Sequence, residues 1–240
     1  LLRHDPDLTA VLITCGEDTE PECLRALGDV PLVEVRGVQP QAAASNLALR
    51  SCPTALMLQL DSDMVLYPGW RQRVAQRYWR HHQDPTWYQI LWWLWDPLFE
   101  RRILALKLVR PGLVPPYRDV RVPDIEHFER MRRLPARHII PPEGEPIGEH
   151  LVRGPRRCYL KLKDDLLSVR RYHPAAARAR AAELWQFFQA KYRRTPAEDL
   201  VWCLAGLLEG AECDPAAGSK RHDEEPLPHY VERARRSLSW

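Results

Sequence analysis

The 240-residue sequence predicts an α/β protein: a mostly parallel sheet flanked by helices, with further helices towards the C-terminal end. Three observations carry that expectation. Short apolar runs alternate with helical runs through the first 80 residues, the pattern of strand–helix–strand units with right-handed crossovers. The third apolar run ends in Asp61 and Asp63, at the kind of strand edge where open α/β sheets bind ligands. An Ala-rich amphipathic stretch over 174–192 then opens a helical C-terminal part.

Residues 8–14 are apolar and β-branched and stop at Cys15-Gly16, so they read as a buried strand. The acidic stretch that follows, with Pro21 early in it, predicts a helix over 20–28. A strand over 31–36 is closed by Gly37, an Ala-rich helix covers 41–50, and a strand over 54–60 delivers the two Asp. A helix over 68–80 places Trp70, Val74 and Tyr78 on one face. Residues 87–95 hold four Trp and form a strand stopped by Asp96-Pro97. Its indoles read as core, with an aromatic platform for a sugar or lipid tail as the alternative. A further strand covers 103–110.

Residues 114–146 are dense in Pro and Arg, with a helical interlude over 125–133, and read as loops over a site. Residues 157–167 read as strand, then helix. Thr195-Pro196-Ala197-Glu198 has the form of a capping box opening a helix to 208. A polar loop over 215–228 and a short helix over 229–238 complete the chain. The expected division is a core over 1–165, in two halves meeting near 100, and a helical extension over 166–240.

Composition narrows the function classes. Hydrophobic content of 45% and charged content of 28% belong to a folded globular chain. No stretch approaches the roughly 20 apolar residues that span a bilayer. The first residues lack the apolar core of a secretory leader, and the six Cys are scattered without a C-x-x-C pair. That pattern argues against a zinc ribbon or a disulfide framework and sets the expectation of a cytoplasmic protein. The net charge of +3 hides a segregation: residues 1–100 hold 8 Lys and Arg against 13 Asp and Glu, residues 101–171 hold 17 against 9. The basic middle suits phosphates, an anionic acceptor or the inner face of a membrane touched peripherally; it reads equally as a solvated face.

Asp61 and Asp63 offer hard oxygen ligands one residue apart, suited to Mg2+ or Mn2+ carrying a substrate diphosphate. The same letters also form an Asp-Ser-Asp turn that caps the next helix. Context favours the metal. Residues 10–15, the helix with Ser45-Asn46-Leu47-Ala48-Leu49, and the run from Ala55 through Leu60-Asp61-Ser62-Asp63 to Pro68-Gly69-Trp70 resemble a family 2-type glycosyltransferase of the GT-A (Rossmann-like) fold. The resemblance covers residues 8–80 well and 100–126 loosely. In that family a Thr-type turn after the first strand meets the nucleotide base, an A-A-R-N helix packs beneath the donor, and an L-D-x-D strand followed by x-x-x-P-x-W carries the metal.

Carried onto this sequence, the resemblance implies donor contacts from Thr14, Cys15, Glu17, Arg36, Asn46 and Asp61, and metal ligation by Asp61 and Asp63. Two positions depart from the family. Arg36 stands where an Asp pair normally holds base and ribose, and Ser45 replaces the family Arg. Glu34 and Glu17 are the nearest carboxylates to take over. An inverting transferase needs a general base, for which Glu126 and Asp124 are the candidates chosen, ahead of Asp164 and Asp165. Each also reads as a helix-capping or first-turn carboxylate. His150 is chosen over His138 and His173 as a third metal ligand, against the commoner fate of a core or surface His.

The expected function is a metal-dependent, hexosyltransferase-like glycosyltransferase using Mn2+ or Mg2+ and a nucleotide-diphosphate sugar of the UDP or GDP type. Its acceptor would be a glycan, lipid-linked or protein. Cys15-Gly16-Glu17-Asp18 is too poor in Gly for the phosphate loop of a nucleotidyltransferase. The competing class is a non-catalytic or nucleic-acid-binding module using the Arg-rich middle. Those Arg are spread among Pro and acidic residues, so no nucleic-acid partner is expected.

Overall fold

The computed structural model describes residues 7–121, 123–133, 137–142, 144–216, 218, 220 and 224–238. The chain divides into two units, Leu1–Arg118 with His127–Leu151, and Asp119–Glu126 with Val152–Trp240. The boundary expected at 165 falls inside a continuous helix.

In the first unit the elements run β1 (Leu8–Thr14), α1 (Glu20–Leu27), β2 (Leu32–Arg36), α2 (Gln41–Ser51), β3 (Leu56–Asp61), β4 (Met64–Leu66), α3 (Trp70–His81), β5 (Trp87–Asp96) and β6 (Arg101–Val109). After α4 (Pro123–Met131), which crosses from the second unit, come β7 (Arg137–Ile139) and β8 (Gly148–His150). The strands form one sheet in the order β2-β1-β3-β6-β5-β8-β4, with β7 beside β5. The α/β expectation holds, and parallel pairings outnumber antiparallel ones: β1 pairs β2 and β3 in parallel, as β5 pairs β7 and β8. β6 is antiparallel to β3 and to β5, and β4 to β8.

Alternation along the strands assigns the helices to two faces. On one, Cys23 and Leu27 of α1 and Trp70 and Val74 of α3 pack with Ala10, Leu12, Leu58 and Leu60. On the other, Ala44 and Ala48 of α2 meet Val11, Ile13, Val35 and Met57. Successive strand residues point to opposite faces, so β1 and β3 are apolar throughout. The Trp-rich β5 is core: Trp87 and Trp92 are buried, Trp93 and Trp95 half-buried.

The second unit is built on α5 (Pro155–Tyr172), α6 (Pro174–Arg194), α7 (Glu198–Glu212) and α8 (Pro228–Leu238). The expected strand at its start is helix instead. Cys158, Tyr159, Leu162 and Leu166 are buried at helical spacing, and the short apolar run could not by itself distinguish the two periods. The capping box is likewise corrected: Thr195 follows the end of α6, and α7 begins after Ala197 without a side-chain cap. Gly206 and Gly210 let α7 lie against α5, where an added Cβ would strike the Tyr159 and Lys163 backbones. Among the described residues no helix is long and apolar enough to cross a membrane.

Candidate functional site

Parallel pairing of β1 with β3 sets Ile13 opposite Asp61, so the turns after both strands emerge at one edge of the sheet. The Ser62 N–H donates to the Ile13 carbonyl at 3.1 Å and ties the two turns together. Thr14, Cys15, Glu17, Asp61 and Asp63 are thereby gathered at this edge.

Glu17 knits it. One carboxylate oxygen receives the Cys15 N–H at 2.9 Å and the Ser62 hydroxyl, and lies 3.1 Å from Thr14 Oγ1. Thr14 Oγ1 sits 2.5 Å from Glu20 Oε2 and accepts the Gly16 N–H at 3.0 Å. Arg36, at the end of β2, forks onto Glu20 and reaches Glu34 at 2.8 Å. Hydrogen bonds from Arg36, then from Thr14, hold the Glu20 carboxyl below its usual pKa. Glu20 and Ser62 were not singled out from the sequence; Glu20 looked like an ordinary first-turn carboxylate of α1.

Asn46 points elsewhere. Its side-chain amide donates to the Tyr117 carbonyl at 2.9 Å and accepts the Tyr117 N–H at 2.7 Å, clamping the segment after β6 to α2. Tyr117 in turn stacks on His127, ring centroids 4.0 Å apart.

Asp63, only 4% exposed, lies in the turn between β3 and β4, and its carbonyl accepts the Leu151 N–H at 2.6 Å. β8 runs antiparallel to β4, with Met64 opposite His150 and Leu66 opposite Gly148. That register brings His150 Nε2 to 3.5 Å from Asp63 Oδ2. The other ring nitrogen, Nδ1, is 2.9 Å from Oδ2 of Asp96, a fully buried residue at the end of β5. The second Asp96 oxygen accepts the N–H groups of Leu98 and Phe99 at 2.9 and 3.1 Å. A carboxylate only accepts, so Nδ1 carries a proton towards Asp96, and in the neutral imidazole that leaves the Nε2 lone pair on the side of Asp63.

The field at this edge is negative. The Cys23 thiol is pushed up to about 12, first by burial and then by the charges of Asp63, Asp61, Glu20 and Glu17. Among the described residues no group of three or more His, Cys, Asp or Glu forms a metal cage. Two donors do converge. Adjacent ligands of an octahedral Mg2+ or Mn2+ at about 2.1 Å stand about 3 Å apart, close to the Asp63–His150 spacing. Such ions take one or two protein ligands and complete the shell with water and phosphate oxygens, and the spacing of this pair fits two such positions.

Asp124 and Glu126 stand in the first turn of α4 and belong to the second unit, as do Asp164 and Asp165. Asp164 is bonded to Arg121, and Asp165 pairs with Lys161 at 3.0 Å. His138 contacts Tyr88 and Gln89, and His173 ends α5.

No family model and no curated protein matches the chain. Solved structures similar to it include two that span most of its length. One is a mannosyltransferase from Pyrobaculum calidifontis in complex with GDP-mannose and Mn2+, 16% identical, with a TM-score of 0.49 over 99% of this chain and 88% of the other. The second is TarS 1-349 of S. aureus, 12% identical, with a TM-score of 0.44 over 85% of this chain and 80% of the other.

Proposed function

We propose that the chain is a glycosyltransferase that moves a sugar from a nucleotide-diphosphate donor, of the UDP or GDP type, to a hydroxyl acceptor. The observation that carries this reading is the meeting of Asp63 and His150 at the edge where β1 and β3 end. Asp63 and His150 would hold a divalent cation, Mn2+ or Mg2+, with Asp61, half-exposed at the tip of β3, reaching it directly or through water. Bound there, the cation would supply Lewis-acid charge to a departing diphosphate.

The chain's own groups do the rest. Thr14, Cys15 and Glu17 form the turn against which the nucleotide rests, and Arg36 braces that turn through Glu20. Asn46 holds the floor by fixing the Tyr117 segment. Glu126, with Asp124 beside it, is assigned the general base that takes the acceptor proton. The acceptor is a glycan, lipid-linked or protein, and the half-buried Trp93 and Trp95 suit contact with a sugar or a membrane surface. The scattered cysteines, with no C-x-x-C pair, suit a cytoplasmic setting.

Thermal unfolding with UDP and GDP, with and without Mn2+, tests this. One of the two nucleotides is expected to raise the melting temperature only when Mn2+ is present, and Asp63→Ala abolishes the rise. Failure of both nucleotides, together with binding of single-stranded RNA that weakens steeply with salt, would replace the transferase with a nucleic-acid module.

A further inference from the structure

Helix α3, strand β5 and the segment before β8 border a hollow of about 200 Å³. Arg73, Arg77 and Arg80 line it together, at i, i+4 and i+7 on one face of α3. Two of the three are held there by backbone. Arg73 donates to the Glu145 and Pro146 carbonyls at 2.5 and 2.8 Å. Arg77 donates to the Leu91 carbonyl at 3.3 Å and lies 5.8 Å from the centre of the Trp92 ring. Arg80 is exposed and has neither hydrogen bond nor ion pair among the described residues.

The three charges act on one another. Burial, then Arg80, then Arg73, hold the Arg77 guanidinium below its ordinary pKa. The same field reaches His81, lowered first by burial and then by Arg77, Arg137 and Arg80. Elsewhere many of the chain's arginines meet carboxylates, as Arg36 does with Glu20 and Arg121 with Asp164. Among the described residues none of these three does. Glu145, the one acidic residue in the lining, meets Arg73 through its carbonyl. The hollow therefore holds three positive charges against one negative, an excess that an anion would relieve.

Another wall is aromatic. Neighbours on a strand normally point to opposite faces, but the pairing of β5 with β6 slips between Trp92, opposite Leu106, and Trp93, opposite Leu104. An irregularity of this kind re-aims a side chain, and both indoles line the hollow. Trp92 is buried. Trp93 is half-buried, and its indole N–H donates to the Pro142 carbonyl at 3.2 Å, which fixes the ring.

Guanidinium forks bind oxyanions through paired N–H bonds, and an indole gives the apolar face of a sugar ring a flat partner. A hollow of about 200 Å³ is smaller than sites that enclose a nucleotide-sized ligand, and suits one sugar unit. We propose that it binds a sugar residue bearing an oxyanion, a carboxylate or a phosphate, with the oxyanion on Arg73, Arg77 and Arg80 and the ring against Trp93. Gln76, also in the lining, bonds a ring hydroxyl. Trp93 enters the transferase reading as a sugar contact, but this hollow needs neither cation nor nucleotide and stands whether or not that reading does.

Titration of the full chain in EDTA, followed by nitrogen NMR of the indole N–H groups, tests it with glucuronic acid, glucose 6-phosphate, glucose and inorganic phosphate. At least one acidic sugar is expected to bind more tightly than both glucose and inorganic phosphate, to shift the Trp93 signal, and to bind Asp63→Ala equally well. Which one does so separates carboxylate from phosphate. Arg80→Gln should weaken that binding about tenfold with the melting temperature unchanged, and Arg80→Lys should recover part of it. The proposal is overturned if glucose binds as tightly as the acidic sugars, or if Arg80→Gln binds like the parent. It also falls if inorganic phosphate binds as tightly, which marks an adventitious ion only.

Discussion

His150 Nδ1 lies 2.9 Å from Asp96 Oδ2, and these two residues, 54 apart in sequence, set which nitrogen of the imidazole faces Asp63. Asp96 reads in the sequence as nothing more than the stop of a strand, Asp96-Pro97. In the fold its two oxygens divide the work. One anchors the turn through Leu98 and Phe99, and the other fixes the His150 ring.

Asp96→Asn keeps an oxygen for the turn but presents an N–H to Nδ1, forcing the imidazole proton onto Nε2. The lone pair facing Asp63 is lost. Mn2+-dependent UDP or GDP binding is expected to weaken about 10- to 100-fold by calorimetry, the usual cost of losing a ligand's outer partner. Nitrogen NMR of His150 should report the exchanged tautomer even without metal. An unchanged tautomer would remove Asp96 from this role.

Gly148 allows β8 to approach β4, because a Cβ there would collide with the Val65 carbonyl. Gly148→Ala is expected to cost about 1–3 kcal/mol in urea unfolding, the range for overpacking a tight contact. Nucleotide binding should fall with it, since His150 rides on the same short strand. Stability equal to that of the parent would show that β8 gives way freely.

His138 sits against Tyr88 and Gln89, and burial pushes its imidazole down to about 4. An unfolded chain takes up that proton near pH 6.5, so between 6.5 and 4 unfolding binds a proton and acid favours it. Stability should therefore fall through that window by about 2–3 kcal/mol and lose nothing more from this group below it. His138→Gln should remove this contribution, read as a smaller difference between denaturation midpoints at pH 7 and pH 4.5.

Trp87 is fully buried, donates its indole N–H to the His81 carbonyl at 2.8 Å, and carries the Arg110 guanidinium over its ring at 3.8 Å. Trp87→Ala should cost about 3–5 kcal/mol in chemical denaturation. A loss below 1 kcal/mol would contradict the reading of β5 as core.

Much of the first unit was legible. The runs that became β1, β2, β3, α1, α2 and α3 stand within a few residues of their expected bounds, because apolar periodicity and turn residues are local signals. The three-residue strands β4, β7 and β8 were not legible, being shorter than any periodic pattern can register. Nor was the Asn46–Tyr117 clamp, whose partners are 71 residues apart, or the ties of Glu17 to Ser62 and of Arg36 to Glu20.

By itself the sequence determined the α/β character, the apolar strand that ends in Asp61 and Asp63, and the helical C-terminal part. Each follows from side-chain spacing within a dozen residues. Only the tertiary structure decided that β6 would run antiparallel beside β3, that β8 would carry His150 to Asp63, and that Asp96 would stand behind it. Those meetings depend on strand register and on whether backbones can approach, as at Gly148, and neither is written in any single stretch of the chain.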